Sequence, residues 1–397
     1  MIFKNLRTSL VRTTLIVLTL FIGVHAFAQE KENSFKVGGA LRFNVFAKSW
    51  VNNKTQPEFT LDTWRLNVDG SQGGVDFSFE YRFYPTFGTH FIHHGWLGYA
   101  VSDDLYVKLG VVQVPFGITK YASHSWWFQG QYYFGLEDDY DIGIKFDYAG
   151  IEKLDLSFAY FRQAEPEGPV AGGDVTYGNA GPGRYSYDIT PGVGRIGSEQ
   201  VDAHIRELNQ FNARAAYHVN ESLEFGASAQ VGGIYNSVLD QSETSTAFAL
   251  HMVANWGKGW NFKGSFINYN YKAKSDDGRM LDIVQMGAYG TPYDIAAKAN
   301  AYSAGIAKSF DVDLGPIKNI QAYVDYTLMD KIESEYANVH HLIPGILVSA
   351  GPVYTYIDYA MGKNQPWLTP SFGEGMGVGD ADAEWQKRFN INIGYYF

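Results

Sequence analysis

"FNINIGYYF" (Phe389–Phe397) alternates without a break: Phe389, Ile391, Ile393 and Tyr395 share one parity, while Asn390, Asn392 and Gly394 share the other. Strand side chains point to opposite faces with a period of two, so the stretch reads as a strand with one apolar and one polar face. In a soluble domain such a strand would be an edge inviting aggregation. It needs a lipid-like cover for its apolar face and a partner strand for its unpaired backbone groups.

The same device recurs along the chain. In "VDFSFEYRFYP", Val75, Phe77, Phe79, Tyr81 and Phe83 oppose Asp76, Ser78, Glu80, Arg82 and Tyr84. "DIGIKFDY" sets Ile142, Ile144, Phe146 and Tyr148 against Asp141, Gly143, Lys145 and Asp147, and "LDLSFAYF", "FNARAAYHV", "LEFGASAQV" and "IQAYVDYTL" follow suit. The polar faces carry charges of both signs, as a wet interior would. Among 397 residues are 28 Tyr, 27 Phe and 43 Gly, which suits half-buried strands and turns. The mean hydropathy of −0.20 shows apolar residues interleaved with polar ones. Without cysteine, neither a disulfide framework nor a thiolate metal site is available.

The N-terminus reads as a secretory signal. Lys4, Arg7 and Arg12 precede the short apolar run "LIVLTLFIGV" (Leu15–Val24), and Ala26-Phe27-Ala28 supplies small residues before a cut ahead of Gln29. Residues 1–28 are then the signal peptide and 29–397 the mature chain. Its removal takes three basic residues and moves the net charge from −11 to −14, which argues against nucleic acid as a partner.

Connections alternate in length. Tight turns fall at Ser71–Gly74, Ser102–Asp104, Gly150–Lys153, Asn220–Ser222 and Gly257–Gly259, between long segments at Pro115–Asp139, Gln163–Glu207 and Ser275–Ala296. Short turns at one end and long loops at the other define an outer-membrane β-barrel. The expected fold is therefore all-β: a transmembrane antiparallel barrel of about sixteen strands, with an inward-folded third extracellular loop at 115–139 and a long extracellular loop at 163–207. Leu342–Val348 and Tyr354–Ala360 are read as separate strands, split at Ala350-Gly351-Pro352.

"LYVKLGVVQVPFGI" (Leu105–Ile118) with "GLEDDYDIGIKFDY" (Gly135–Tyr148) resembles the phosphate-selective porin O and P family of Gram-negative outer membranes. The matching features are the Gly-x-x-x-x-Pro-Phe pattern at Gly110, Pro115 and Phe116, and the Arg-x-x-x-x-x-Gly hairpin at Arg65 and Gly70. "GPVYTYIDYAMGKNQPW" (Gly351–Trp367) is also similar to porins of this sort. The resemblance implies a homotrimeric diffusion channel for small solutes, set among lipid and lipopolysaccharide, with Phe397 as the signal read by the barrel-assembly machinery. It also implies a constriction formed by the third loop.

Lys120, Trp126, Trp127, Tyr132, Tyr133, Glu137, Asp138 and Asp139 are the candidate constriction residues. Arg42, Arg65, Glu80, Arg82, Lys108, Asp141, Lys145 and Arg214 are candidate lumen charges, joined by Asp62, Asp76 and Asp325. This mixed set does not form the single-sign ring that charge selection requires. The aromatics admit either stacking on carbohydrate or packing of the loop against the wall. A plugged structural or adhesive barrel is a further alternative.

No catalytic group, cofactor or metal site is expected. His93-His94 and His340-His341 should point to opposite faces of their strands. "EDDYD" (Glu137–Asp141) lacks the regular spacing of a calcium loop. Ser123-His124 is an isolated pair, and a Gly-x-Ser-x-Gly elbow is absent. The leader reading gives the first testable outcome: N-terminal sequencing of the protein from outer membranes should begin at Gln29. An intact Met1 or a soluble periplasmic product would overturn it.

Overall fold

The period-two segments pair with one another in sequence order until the first meets the last. The computed structural model describes residues 32–171 and 181–397. The leader and nine residues of the 163–207 segment lie outside the described residues. Barrel strands are β1 (Ser34–Lys48), β2 (Glu58–Gln72), β3 (Val75–Tyr84), β4 (Thr89–Ala100), β5 (Leu105–Gln113), β6 (Tyr140–Ile151) and β7 (Leu154–Ala164). Three short strands follow: β8 (Asp188–Ile189), β9 (Gly192–Ile196) and β10 (Glu199–Ala203). The wall resumes with β11 (Ile205–Asn220), β12 (Leu223–Asn236), β13 (Gln241–Trp256) and β14 (Trp260–Asn270), before a second short pair, β15 (Ile283–Ala288) and β16 (Thr291–Ala296). It closes with β17 (Lys298–Leu314), β18 (Ile317–Lys331), β19 (Val339–Ala350), β20 (Val353–Lys363) and β21 (Gln386–Tyr396). The sixteen long strands form one closed antiparallel barrel. The five short ones make a second sheet, with β9, β15 and β16 side by side.

The expected strand count and the split at Gly351-Pro352 both match this arrangement. A fourth long connection, between β20 and β21, joins the three expected from sequence. It runs among the other loops: Trp367 Nε1 donates to Tyr187 Oη (2.8 Å), and the amides of Asp294 and Ala296 donate to the carbonyls of Gly373 and Met376.

Closure depends on the stretch that opened the sequence reading. β21 runs antiparallel to β1 from Arg388 opposite Lys48 to Tyr396 opposite Ala40. Phe389, Ile393 and Tyr395 face out and are exposed, whereas Asn390 and Asn392 face in and are buried. Around the wall the outer face is similarly apolar, with Phe158, Phe211, Leu250 and Tyr302 all exposed. Aromatics gather on this face near the short turns: Trp256 and Trp260 stack 5.9 Å apart across Gly257–Gly259, and Tyr395 stacks on Phe397. Such a girdle flanks the apolar band of membrane barrels.

Beyond β21, Phe397 extends the seam by exchanging two backbone hydrogen bonds with Gly39 (2.9 and 3.1 Å). A side chain at Gly39 would start 2.4 Å from the Arg65 carbonyl oxygen and 2.8 Å from the Phe397 ring. Two changes should therefore lower the yield of heat-modifiable barrel on unboiled gels: removing Phe397, which forfeits about 1 kcal/mol per lost hydrogen bond, and Gly39→Val. Wild-type yield in both variants would refute this role for the seam.

Candidate functional site

Inward-facing side chains meet in ion pairs. Arg42 pairs with Asp62 (3.0 Å), Arg65 and Arg82 share Glu80, Lys108 and Lys145 share Asp147 (3.6 Å each), and Arg214 pairs with Glu224 (3.0 Å). Asp76 accepts from the Tyr106 hydroxyl. Each lumen cation named from the sequence thus has a carboxylate beside it. An additional inward cation is Arg388, sandwiched over the rings of Phe46 and Trp127 at 4.1 and 4.9 Å. It shares parity with Asn390 and Asn392, so the alternation that placed those asparagines inside also marks Arg388.

The segment between β5 and β6 crosses to the far wall. Gly110, at φ 136°, lies so near β4 that a side chain there would begin 2.3 Å from the Gly95 carbonyl oxygen, which explains the need for glycine. Past Pro115, Gly117 N donates to Ser228 and Gly117 O accepts from Arg214. Further along, Asp325 of β18, fully buried, accepts from His124 N (2.7 Å), His124 Nδ1 (2.8 Å) and Ser125 N (2.9 Å). Thr327 accepts from Gly130 N and donates to Gln129, and Lys263 Nζ donates to the carbonyl of Ser123. These contacts link strands on opposite sides of the barrel through one loop.

Two cavities flank that crossing at the short-turn end. One, of about 590 Å³, is lined by Tyr121, Ser123, His124 and Lys263. The other, of about 370 Å³, is lined by Thr119, Lys145, Asp147 and Arg214. Residues 119–124 separate them. Lys120 is exposed.

Toward the long-loop end the segment is packed. Trp127, Tyr132, Tyr133 and Phe134 are buried in an aromatic core with Tyr185, Tyr187, Tyr289 and Tyr293, while Trp126 is half-buried. The Tyr132 hydroxyl lies 2.6 Å from that of Tyr289, and Tyr271 donates to the Phe134 carbonyl (2.7 Å). The rings therefore spend their faces on one another rather than on an open passage. The acidic end is equally enclosed. Asp138 accepts from Gln113 (2.8 Å) and Tyr185 (2.6 Å). Burial pushes the Glu137 carboxyl well above its ordinary range, with the Asp138 charge adding to the effect.

The histidine expectation needs correction at one pair. At His93 the register between β3 and β4 slips by one residue, so Glu80 faces His94 and Tyr81 faces Ile92. The bulge suspends alternation, and Nδ1 of His93 lies 2.9 Å from Nδ1 of His94. At the second pair alternation holds: His341 is buried, and His340 contacts Tyr326 and Trp385. Ser123 and His124 do not form a nucleophile–base pair. The Ser123 hydroxyl donates to the Trp127 carbonyl (2.6 Å), and both His124 ring nitrogens face oxygens of Asp325 and Asn261.

No family model matches the sequence, and no curated protein matches it. Solved structures do. The outer-membrane channel DcaP of Acinetobacter baumannii superposes with a TM-score of 0.57 at 11% identity, over 94% of this chain and 99% of that one. The anion-selective porin from Comamonas acidovorans gives 0.56 at 15%, over 92% and 100%. OmpF of Salmonella typhi, solved with daunomycin, gives 0.58 at 9%, over 92% and 98%. The fold is thus that of the sixteen-stranded porins.

Asp325 generates the prediction here. Asp325→Ala leaves buried donors unpaired, each costing about 1–3 kcal/mol. It should lower the denaturant midpoint and expose 119–131 to proteolysis, with Asp325→Asn intermediate. A variant with wild-type midpoint and protease resistance would show that Asp325 does not anchor the loop.

Proposed function

We propose that this chain is a passive channel of the Gram-negative outer membrane, admitting small hydrophilic solutes through a lumen narrowed by residues 115–139. The observation that carries the reading is the crossing at 119–124, which divides two polar-lined cavities inside a wall that is apolar outside. A barrel of this size encloses an aqueous passage when its loops leave room. The membrane setting includes contact with lipid and lipopolysaccharide, and insertion by the barrel-assembly machinery reading Phe397. The chain would be exported behind residues 1–28 and work without enzymatic activity. Assembly as a homotrimer belongs to the proposal; OmpT of Vibrio cholerae, a structural neighbour with a TM-score of 0.55 at 12% identity over 92% of this chain and 100% of that one, was solved in a trimer form.

Membership of the phosphate-selective O and P family is the finer part of the reading, supported by the way Gly110, Pro115 and Phe116 deliver the chain into the loop. Phosphate selectivity is not part of it. Paired charges such as Arg42–Asp62 and Arg214–Glu224 cancel at short range, and a pore lined by them should discriminate weakly by sign. The burial of Trp127, Tyr132 and Tyr133 favours loop packing over carbohydrate stacking. A closed structural barrel is the second reading, favoured by the small sheet, whose strands β15 and β16 are buried throughout.

Planar-bilayer recording separates the two. Purified protein should give discrete conductance steps with a reversal potential near zero in a salt gradient. Replacing 119–130 with a short Gly-Ser linker, which keeps Tyr132–Phe134 in their core, should raise single-channel conductance at least roughly twofold. Silent bilayers from both proteins would establish the closed barrel instead.

A further inference from the structure

"EDDYD" (Glu137–Asp141) lacks calcium-loop spacing in sequence, but its last two acids meet a third in space. Asp139 ends the crossing segment, Asp141 is the second residue of β6, and Asp188 lies in β8, forty-nine residues beyond Asp139 in the sequence. One carboxylate oxygen from each falls within 4.8 Å of the other two, and all three residues are buried. Oxygens bound to one ion at about 2.4 Å can stand at most about 4.8 Å apart, and 2.3–2.6 Å is the range for calcium.

A fourth carboxylate is aimed at this group from the start of the next loop. Glu165 is 2% exposed. One of its oxygens accepts from Ser186 N (2.8 Å), and its carboxyl reaches that of Asp188. Its Oε2 has no hydrogen-bond partner, nor do Asp139 Oδ1 and Asp141 Oδ1. Glu207, which accepts from Ile189 N, borders the cluster as a fifth acid. Among the described residues, Arg184 is the only cation within ion-pairing distance of any of the five, 3.2 Å from Asp188. Buried like charges without compensation are costly. One guanidinium, on Asp188 Oδ2, leaves most of the charge unanswered, and three unpartnered oxygens leave ligand capacity unused.

We propose that Asp139, Asp141 and Asp188, with Glu165 behind them, hold one divalent cation of the calcium class. The donors are all oxygen, with neither thiolate nor imidazole among them, which selects a hard cation. Three carboxylates drawn from two stretches of chain suit calcium's flexible coordination better than magnesium's demand for octahedral order. The ion would tie the junction of the 115–139 crossing and β6 to Glu165 and Asp188. Asp325 pins the crossing at its middle; the cation would pin its end. The site does not require that the barrel conduct, so it stands apart from the channel reading.

The test uses the full mature chain, folded in detergent free of lipopolysaccharide, which itself binds calcium. Terbium added to the chelator-treated barrel should give sensitised luminescence, with Tyr140 lying between two of the ligands in the chain. Calcium should displace it at a stoichiometry of one, and an equal concentration of magnesium should compete at least roughly tenfold less well. Chelation should speed proteolysis of the 163–207 loop, and added calcium should reverse this. Asp188→Asn and Asp141→Asn, checked as heat-modifiable barrels, should each weaken calcium binding by more than about tenfold. Folded variants with wild-type affinity would overturn the assignment. If neither variant folds, the wild-type chain decides: absence of terbium luminescence, together with proteolysis indifferent to calcium and chelator, would mean that protons and Arg184 alone neutralise the cluster.

Discussion

Pairing Ala40–Lys48 with Arg388–Tyr396 turns a sixteen-stranded sheet with two open edges into a barrel with none. Every other feature presupposes that seam. An apolar outer face such as Phe158, Phe211 and Leu250 make cannot coexist with exposed backbone amides in a hydrocarbon setting, because each unpaired group there costs several kcal/mol. Closure removes that cost, and it also creates an inside, where closely set polar side chains find partners in one another. Gly38 and Gly39 leave room at the seam for Phe397, which adds two backbone hydrogen bonds to the ladder.

The inside answers the same physical demand by local neutralisation. Arg42 with Asp62, Arg65 with Glu80, and Arg214 with Glu224 settle their charges between adjacent strands of the wall. The crossing segment settles its backbone against the wall too: the amides of His124, Ser125 and Gly130 end on Asp325 and Thr327. These donors would lie unsatisfied in a packed lumen, so the far wall supplies acceptors at the height where the loop arrives. In functional terms, the same contacts that stabilise the segment also fix where it crosses, and hence where the two cavities are divided.

At the long-loop end the loops converge into a core of their own. Tyr132, Tyr185, Tyr187, Tyr289 and Tyr293 bury their rings against one another; Tyr132 and Tyr293 donate to backbone carbonyls, Tyr185 donates to Asp138, and Tyr187 accepts from Trp367. The tyrosine richness seen in composition thus serves two places: the outer girdle, where Tyr395 stands, and this interior cluster. Beside it the buried acids Asp139, Asp141, Glu165 and Asp188 crowd together with Arg184 as the one cation within ion-pairing distance among the described residues.

The sequence by itself determined the wall. Alternation in "VDFSFEYRFYP" or "FNINIGYYF" assigns each side chain to a face because a strand has a period of two wherever it sits, and Gly351-Pro352 ends a strand by local backbone geometry alone. Unequal connections gave the two ends of the barrel for the same local reason. Tertiary structure decided everything that depends on residues distant in the chain. His93 and His94 are brought together by a bulge that follows from the register of β3 against β4, which no periodicity in β4 announces. Asp325 reads as one lumen acid among several until His124, 201 residues away in sequence, arrives to bond it. Asp188 lies in a connection without periodicity, so its meeting with Asp139 and Asp141 comes from how that connection folds against the start of β6. Local alternation fixes faces because it acts between neighbours in the chain; partners are fixed only when the closed barrel confines distant loops to one small volume.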